Sequence, residues 1–179
     1  INFKIIHYDS GELCNWVHHY AKEEYSNKTF ATYEITEGAV AFRKAALKLS
    51  GLYPEKFFMS HEGPDLAFRL IDKGYRVIYA GDIVVKHRFS LLGRSFWYNY
   101  YYDTRNHFWL AFRNFPFSYM IKYLAKNLAS TFIYSVRDGF TRYWFKAVFD
   151  GIFGLTFIIK ERKVLGIEAM NSIREINSN

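Results

Sequence analysis

The sequence predicts an α/β fold over residues 1–92, followed by a mostly helical region over residues 93–179. Short β-type runs alternate with helical runs in the first part, whereas long helical periodicities take over from about residue 92. Charge and aromatic residues divide at the same point: +6 of the formal net charge of +7, and 22 of the 37 aromatic residues, fall in 93–179. The two parts are therefore expected to contact different solvents or partners.

Four strands and two helices are predicted in the first part. Runs rich in β-branched and aromatic residues predict strands at 3–8, 31–36, 75–79 and 83–88, with a turn at 80–82 between the last two. A helix is predicted at 42–49 and ends near Gly51. A second helix is predicted at 64–73, because Pro64 suits a first helical turn and Gly74 suits a helix end.

Long helices are predicted in the second part, separated by Pro116, Gly139 and Gly166. Their ranges are 92–114, 117–135, 138–160 and 164–176. Apolar residues share one face of the second of these helices, and a ladder of charged residues at i, i+4 spacing (Asp138, Arg142, Lys146, Asp150) runs along the third, opposite Phe149. The longest apolar run, 151–159, is shorter than the roughly 18–20 residues of a spanning helix. Basic amphipathic helices rich in Trp and Tyr predict attachment to a membrane surface, and a water-soluble helical bundle is the alternative.

Composition excludes several classes of protein. Hydrophobic residues make up 50% of the 179 residues, which supports a folded core and argues against disorder. The single cysteine, Cys14, excludes an intramolecular disulfide and a CxxC metal site. The chain starts at Ile1 without an initiator Met or a signal peptide, and we interpret it as a piece of a longer protein.

Two carboxylates are predicted at the start of the 64–73 helix. Glu62 and Asp65 lie at or just before its first turn, and Arg69 follows Asp65 by four residues. The positive end of the helix dipole and a basic partner one turn away both favour an ionised carboxylate, which is the form a general base needs. A helix cap with a surface ion pair is the alternative interpretation of the same residues.

A wider set of motifs surrounds these carboxylates. In chain order they are Glu37-Gly38-Ala39-Val40-Ala41-Phe42-Arg43-Lys44, Gly51-Leu52-Tyr53-Pro54-Glu55-Lys56-Phe57-Phe58, Glu62-Gly63-Pro64-Asp65-Leu66-Ala67-Phe68-Arg69, Gly74-Tyr75-Arg76-Val77-Ile78-Tyr79, Val85-Lys86-His87 and Tyr101-Tyr102-Asp103-Thr104-Arg105-Asn106. In this order and spacing they resemble the carboxy-terminal half of family-2 inverting glycosyltransferases, especially the rhamnosyltransferase-like branch. The resemblance covers residues 37–116, and residues 117–179 match only in character.

The resemblance implies part of a GT-A (Rossmann-like) catalytic domain. A sugar would pass from a nucleotide-diphosphate sugar to a hydroxyl of a lipid-linked or polysaccharide acceptor with inversion, while a divalent cation, Mg²⁺ or Mn²⁺, stabilises the departing diphosphate. Bacterial cell-envelope synthesis, at the cytoplasmic face of the plasma membrane, is the implied setting. The family's strand-end D-x-D is absent from this sequence, so the main metal ligands and the nucleotide pocket are expected upstream, and this chain alone is not expected to turn over.

The resemblance also assigns roles to individual residues. Gly63 replaces the second acid of the family's E-D pair, which leaves Asp65 and Glu62 as candidates for the base, with Asp65 slightly favoured for its place in the helix. The expected substrate-binding residues are Gly38, Ala39, Arg69, Arg105 and Asn106, and His87 is a candidate metal contact. An ordinary turn at Gly38, packing by Arg105 and Asn106, and a structural role for His87 are the alternatives. His61 and His107 have no assigned role.

Two other functions remain open. The first is a non-catalytic membrane-surface or assembly module derived from the same fold, in which the basic helices carry the function. The second is nucleic-acid binding, suggested by the pI near 9.4 and the aromatic content of 21%. It is disfavoured because the basic residues alternate with apolar ladders and form no recognition motif, so nucleic acid is not an expected partner.

Overall fold

The computed structural model describes residues 1–88 and 95–178. It shows a mixed α/β fold that is 56% helical and contains a small three-stranded mixed sheet. The strands are β1 (Asn2–His7), β2 (Thr29–Ala31) and β3 (Ile78–His87). The helices are α1 (Lys22–Tyr25), α2 (Lys44–Ser50), α3 (Glu62–Asp72), α4 (Trp97–Asn114), α5 (Phe117–Arg137), α6 (Thr141–Phe153), α7 (Leu155–Ile158) and α8 (Ile167–Ser178). The predicted α/β class is confirmed, whereas the predicted boundary at residue 92 lies outside the described residues.

The chain divides into two compact units. The sheet unit comprises residues 1–53, 66–88 and 166–178, and the helical unit comprises residues 54–65 and 95–165. The first turn of α3 therefore belongs to the helical unit, and the rest of α3 belongs to the sheet unit.

The sheet has β3 in the middle, parallel to β1 and antiparallel to β2. The predicted turn at 80–82, with a strand on either side, is wrong, because β3 runs without a break from Ile78 to His87. The pairing of β3 with β1 shifts between Phe3 and Lys4. Phe3 is opposite Ala80 and Lys4 is opposite Val84, so residues 81–83 of β3 have no partner in β1. A Cβ atom on Gly81 would lie 2.7 Å from backbone atoms of residues 26–28, and this close approach requires glycine.

The predicted strand at 31–36 is also wrong, since β2 covers only Thr29–Ala31. The backbone that follows is held by the fully buried side chain of Asn2 in place of a neighbouring strand. Its amide nitrogen donates to the carbonyl oxygen of Glu34, and its amide oxygen accepts from the backbone N–H of Thr36, each at 2.9 Å. A buried amide that bonds to one backbone carbonyl and one backbone N–H takes the place of the hydrogen bonds that a neighbouring strand would make.

Helix α3 provides the core of the sheet unit. Its buried Leu66, Ala67 and Leu70 form one cluster with Ala46 of α2, Ile35 after β2 and Val77 before β3. Gly74 follows α3 with a φ of 78°, and the N–H of Tyr75 returns to the carbonyl of Leu70, which closes the helix as its sequence predicted.

In the helical unit, α4 and α6 approach closely because small residues line the contact. Ala147 is fully buried on the same face of α6 as Gly151, which lies against Phe108 of α4, and Gly154, just after α6, lies against Trp109. The indole N–H of Trp109 donates to the carbonyl oxygen of Gly151 at 3.0 Å. The predicted single helix over 138–160 is shorter in the structure: α6 ends at Phe153, and a short α7 and a 3₁₀ turn follow. Glycines at 151 and 154 lower the helix propensity there.

Gly154→Ala is expected to lower the free energy of unfolding by about 1–3 kcal/mol, because an added methyl group would overpack the contact with α4. Its Cβ atom would lie 2.6–2.8 Å from three atoms of the Trp109 indole ring. Gly166→Ala is the matched control, since the nearest atom to a Cβ there lies at an ordinary 3.5 Å. Urea denaturation followed by circular dichroism measures both variants, and an equal effect of the two would contradict the packing argument.

The α6 helix leaves a continuous apolar face exposed. Its charged ladder turns partly toward α4, where Asp150 accepts a hydrogen bond from the hydroxyl of Tyr101. Large side chains at i, i+4, i+7 and i+8 spacing are more than half exposed on another face: Phe145, Phe149, Ile152 and Phe153. No helix in the described parts of the chain combines the length and the apolar character needed to cross a bilayer.

Candidate functional site

The residues before α3 form a strained loop in the helical unit. Phe58, Ser60 and His61 all have positive φ angles of 63–66°, which side-chain-bearing residues rarely adopt. Such conformations persist only where surrounding contacts hold them, and they concentrate at functional sites. The loop leads directly into Glu62, the first residue of α3.

Asn106 and Arg105 of α4 hold this loop. The Asn106 amide nitrogen donates to the carbonyl oxygens of Phe57, Met59 and Ser60 at 3.1, 2.6 and 2.7 Å. The Arg105 guanidinium donates to the carbonyl oxygen of Phe57 at 2.8 Å and to the Asn106 side-chain oxygen at 3.0 Å. Both side chains are at least nine-tenths buried. The sequence left two roles open for Arg105 and Asn106, substrate binding and packing. These contacts favour packing.

Burial lowers the pKa of the Arg105 guanidinium, while the neighbouring Tyr101 and Tyr102 oppose this effect. The guanidinium also stacks on aromatic rings, with its central carbon 4.0 Å from the Trp109 ring centre and 4.8 Å from that of Tyr102. Cation–π contacts offset part of the cost of burying the charge. Arg105 is therefore a positioning residue for the loop.

Glu62 is the carboxylate of the predicted pair that keeps unused hydrogen-bonding capacity. Its Oε2 atom is shielded from solvent and has no hydrogen-bond partner among the described residues. A carboxylate oxygen that accepts from no protein donor is available to accept a hydrogen bond from water or from a ligand. It lies in the first turn of α3, where the helix dipole favours negative charge.

Asp65 lies one turn further on and is fully buried. Its Oδ1 atom accepts a hydrogen bond from the Asn114 amide at 2.7 Å. The Nε atom of Arg113 lies 3.1 Å from the same oxygen as an ion pair, although its N–H does not point along a hydrogen-bond direction. Arg113 also pairs with Glu161. Asp65 thus joins α3 to the end of α4 within the helical unit.

The other predicted site residues lie in the sheet unit. Arg69 donates to the carbonyl oxygens of Ser50 and, at 2.8 Å, of Leu52, and so holds the chain at the end of α2. Gly38 lies in a turn, and a Cβ atom added to it would be 3.0 Å from Ile5 and 3.6 Å from His87. Ala39 is buried, and its carbonyl oxygen accepts from the N–H of Phe3.

His87 ends β3 in register with His7 of β1. In the described parts of the chain, it has no pair of further ligand atoms grouped to hold a metal ion with it. If His87 contacts the cation that the family resemblance implies, the other ligands of that cation would have to come from outside the described residues. The absence of a D-x-D motif from the sequence indicates the same.

A group of potential metal ligands that was not predicted lies beside Glu62. His61, Asp103 and His107 bring one ligand atom each within 4.8 Å of one another, and this is the one such grouping found in residues 1–88 and 95–178. Nε2 of His61 lies 2.8 Å from Oδ1 of Asp103, and Nε2 of His107 lies 3.8 Å from Oδ2 of Asp103. The two imidazole ring centres are 4.2 Å apart.

The protonation states of this group follow from its surroundings. Burial lowers the pKa of His107 to about 3, with a further contribution from His61 that Asp103 partly opposes. Partial burial raises the pKa of Asp103, but the larger combined effect of His61 and His107 lowers it below its usual value. At neutral pH, His107 is therefore neutral and Asp103 is ionised, which are the forms that ligate metals.

A sequence signal for this group exists. Asp103 and His107 are four residues apart in a predicted helix, and this spacing places both on one face. His61 is distant in sequence, and only the path of the strained loop brings it to α4. The pair within α4 was detectable, whereas the third ligand required the tertiary structure.

Comparisons of this chain with protein-family models, with curated proteins and with solved structures found no match.

Proposed function

We propose that this chain is the acceptor-side part of an inverting glycosyltransferase of the GT-A type. The donor would be a nucleotide-diphosphate sugar, and the acceptor a hydroxyl group of a lipid-linked or polysaccharide substrate. The proposal includes a donor-binding part outside these 179 residues, because the sequence contains no D-x-D motif. The ordered motifs over 37–116 and the geometry at the start of α3 support it.

The shielded Oε2 atom of Glu62 carries the proposal. A general base must have an oxygen available to receive the substrate's proton, and Oε2 of Glu62 has no hydrogen-bond partner among the described residues. Asp65 meets this condition less well, because it is fully buried against Asn114 and Arg113. We therefore assign the base to Glu62 and a structural role to Asp65.

The proposed reaction is a single displacement at the anomeric carbon. Glu62 removes the proton from the acceptor hydroxyl as its oxygen attacks, and the nucleotide diphosphate leaves from the opposite face, which inverts the configuration. A divalent cation held with the donor would stabilise the leaving diphosphate. The loop pinned by Arg105 and Asn106 fixes the position of Glu62.

The test is a transfer assay on the natural polypeptide that contains this chain. Radiolabelled nucleotide-diphosphate sugars are offered with lipid-linked and saccharide acceptors, and a labelled product with inverted configuration is the expected result. The Glu62→Gln variant is compared in the same assay. Absence of transfer with every donor class, from a folded polypeptide, would overturn the proposal.

Attachment to an anionic membrane surface is a second candidate function, favoured by the exposed apolar face of α6. Phe149 and Phe153 on this face are 63% and 71% exposed, and Arg142 and Lys146 on the same helix are exposed as well. Apolar side chains that insert between headgroups, beside cations that attract anionic lipids, are typical of interfacial helices. This function is compatible with the enzyme and would also suffice for a non-catalytic module.

The Phe149→Ser, Phe153→Ser double variant is expected to weaken binding to vesicles containing phosphatidylserine by about tenfold or more, because two large apolar groups no longer insert. Leu49→Ser, at another exposed apolar position, is the matched control. Co-sedimentation with anionic and with neutral vesicles measures the effect. Equal binding of the double variant and the wild type, or preferential binding of single-stranded DNA, would contradict membrane attachment.

A further inference from the structure

The grouping of His61, Asp103 and His107 has the composition of a metal site. Two imidazoles and one carboxylate match the ligand preference of divalent transition metals, whereas Mg²⁺ and Ca²⁺ prefer oxygen ligands alone. All three residues belong to the helical unit, two from α4 and one from the loop that precedes α3.

The spacing of the ligand atoms is close to that of a bound ion. Ligands at roughly 2.0–2.2 Å from one ion are separated from each other by roughly 2.8–3.6 Å in tetrahedral or octahedral geometry. Nε2 of His61 lies 2.8 Å from Oδ1 of Asp103, inside that range, and Nε2 of His107 lies 3.8 Å from Oδ2 of Asp103, just above it. One ligand atom from each of the three residues lies within 4.8 Å of the other two, so the three can share one ion once the side chains adjust.

Neighbouring residues hold two of the ligands in place. The Tyr123 hydroxyl lies 2.7 Å from Nδ1 of His107, which leaves Nε2 directed at Asp103. Asn106, between the two α4 ligands in sequence, binds the carbonyl oxygens of Met59 and Ser60 and so fixes the loop at His61. Hydrogen bonds of this kind set the orientation of a ligand ring and are typical of metal sites.

The Asp103 side chain is 40% exposed to solvent, whereas that of His61 is 16% exposed and that of His107 is 8% exposed. One side of the group is thus open to solvent, so that a three-residue site would keep positions for water or for a substrate oxygen. Closed structural zinc sites use four protein ligands, whereas catalytic sites use three and an open position.

We propose that His61, Asp103 and His107 bind a divalent transition-metal ion of the Zn²⁺ or Co²⁺ class in an open, three-residue site beside Glu62. This site is separate from the donor-side metal of the proposed transfer reaction. The inference does not depend on the proposed function, because metal binding by the chain requires neither donor nor acceptor.

Isothermal titration of the metal-free chain with Zn²⁺, together with visible absorption spectra of its Co²⁺ complex, tests this site. We expect one bound ion per chain, with Co²⁺ bands of a four- or five-coordinate site and much weaker binding of Mg²⁺. His61→Ala and Asp103→Asn are each expected to lower the Zn²⁺ affinity by about 100-fold or more, a loss at least as large as that caused by removing a residue that only orients a ligand.

His19→Ala, at an exposed histidine of the sheet unit, is the matched control and should bind Zn²⁺ as the wild type does. His61 and Asp103 are the test positions, because both are less buried than His107, and circular dichroism checks that each variant is folded. Unchanged affinity in both test variants, or an equal loss in His19→Ala, would overturn the site. Failure of the wild-type chain to bind Zn²⁺ would equally overturn it and leave a cluster in which the two histidines lie close to the Asp103 carboxylate without a metal ion.

Discussion

Glu62→Gln is expected to reduce sugar transfer by about 10²–10⁴-fold without unfolding the protein, because glutamine retains the shape of the side chain but cannot accept the proton of the acceptor hydroxyl. The Oε2 atom that is lost has no hydrogen-bond partner among the described residues, so no structural contact disappears with it. The free energy of unfolding should change by no more than about 1 kcal/mol, the size of a helix-dipole interaction.

The measurement is the rate of labelled-sugar transfer by the natural polypeptide at saturating donor and acceptor. Glu55→Gln is the matched control, since Glu55 is an exposed acid that also lies in the helical unit. A loss of kcat with little change in KM identifies an interaction made only in the transition state. Transfer by Glu62→Gln within a few-fold of the wild-type rate would remove Glu62 from the role of base.

Asp65→Ala is expected to destabilise the protein by about 3–5 kcal/mol, because it removes a buried carboxylate from its ion pair and from its hydrogen bond with the buried Asn114 amide. The carboxylate is fully buried and accepts from Asn114, with Arg113 at 3.1 Å from the same oxygen. The expected loss exceeds that of Gly154→Ala, and urea denaturation followed by circular dichroism measures it.

Asp9→Ala provides the matched control for this prediction. Asp9 also pairs with an arginine, Arg88, at 2.9 Å, but both side chains are 60% or more exposed. Exposed ion pairs contribute about 0–1 kcal/mol, so the control should be nearly neutral. A similar small effect at both positions would contradict the structural role of Asp65, and a stable but inactive Asp65→Asn variant would make Asp65 a candidate base again.

These two variants test the different roles of two carboxylates that the sequence alone hardly distinguishes. Glu62 and Asp65 are three residues apart at a helix start, and the resemblance to the glycosyltransferase motif includes both. Their difference arises from α4, which contributes Asn114 and Arg113 to Asp65. The slight preference for Asp65 in the sequence followed from its helix position and could not account for burial by a segment about 50 residues away.

The same limit applies to Arg105 and Asn106. Their sequence context suggested contact with a diphosphate, with packing as the alternative, and their donors are directed at the carbonyl oxygens of the loop before α3. A motif places a donor on an element but does not state which acceptor it meets. The strained φ angles at Phe58, Ser60 and His61 explain why this loop needs several donors to hold it.

The sequence by itself determined the α/β class, the positions of α2, α3 and α5, and the helix ends at Gly51, Gly74, Pro116 and Gly139. These features depend on local periodicity and on backbone preferences of single residues, which are encoded over a few positions. Only the tertiary structure decided the continuity of β3 past Gly81, the short β2, and the assembly of His61 with Asp103 and His107. Each of these depends on a contact between residues far apart in sequence, such as the backbone beside Gly81 or the Asn2 amide in place of a strand, and no local pattern specifies such a partner.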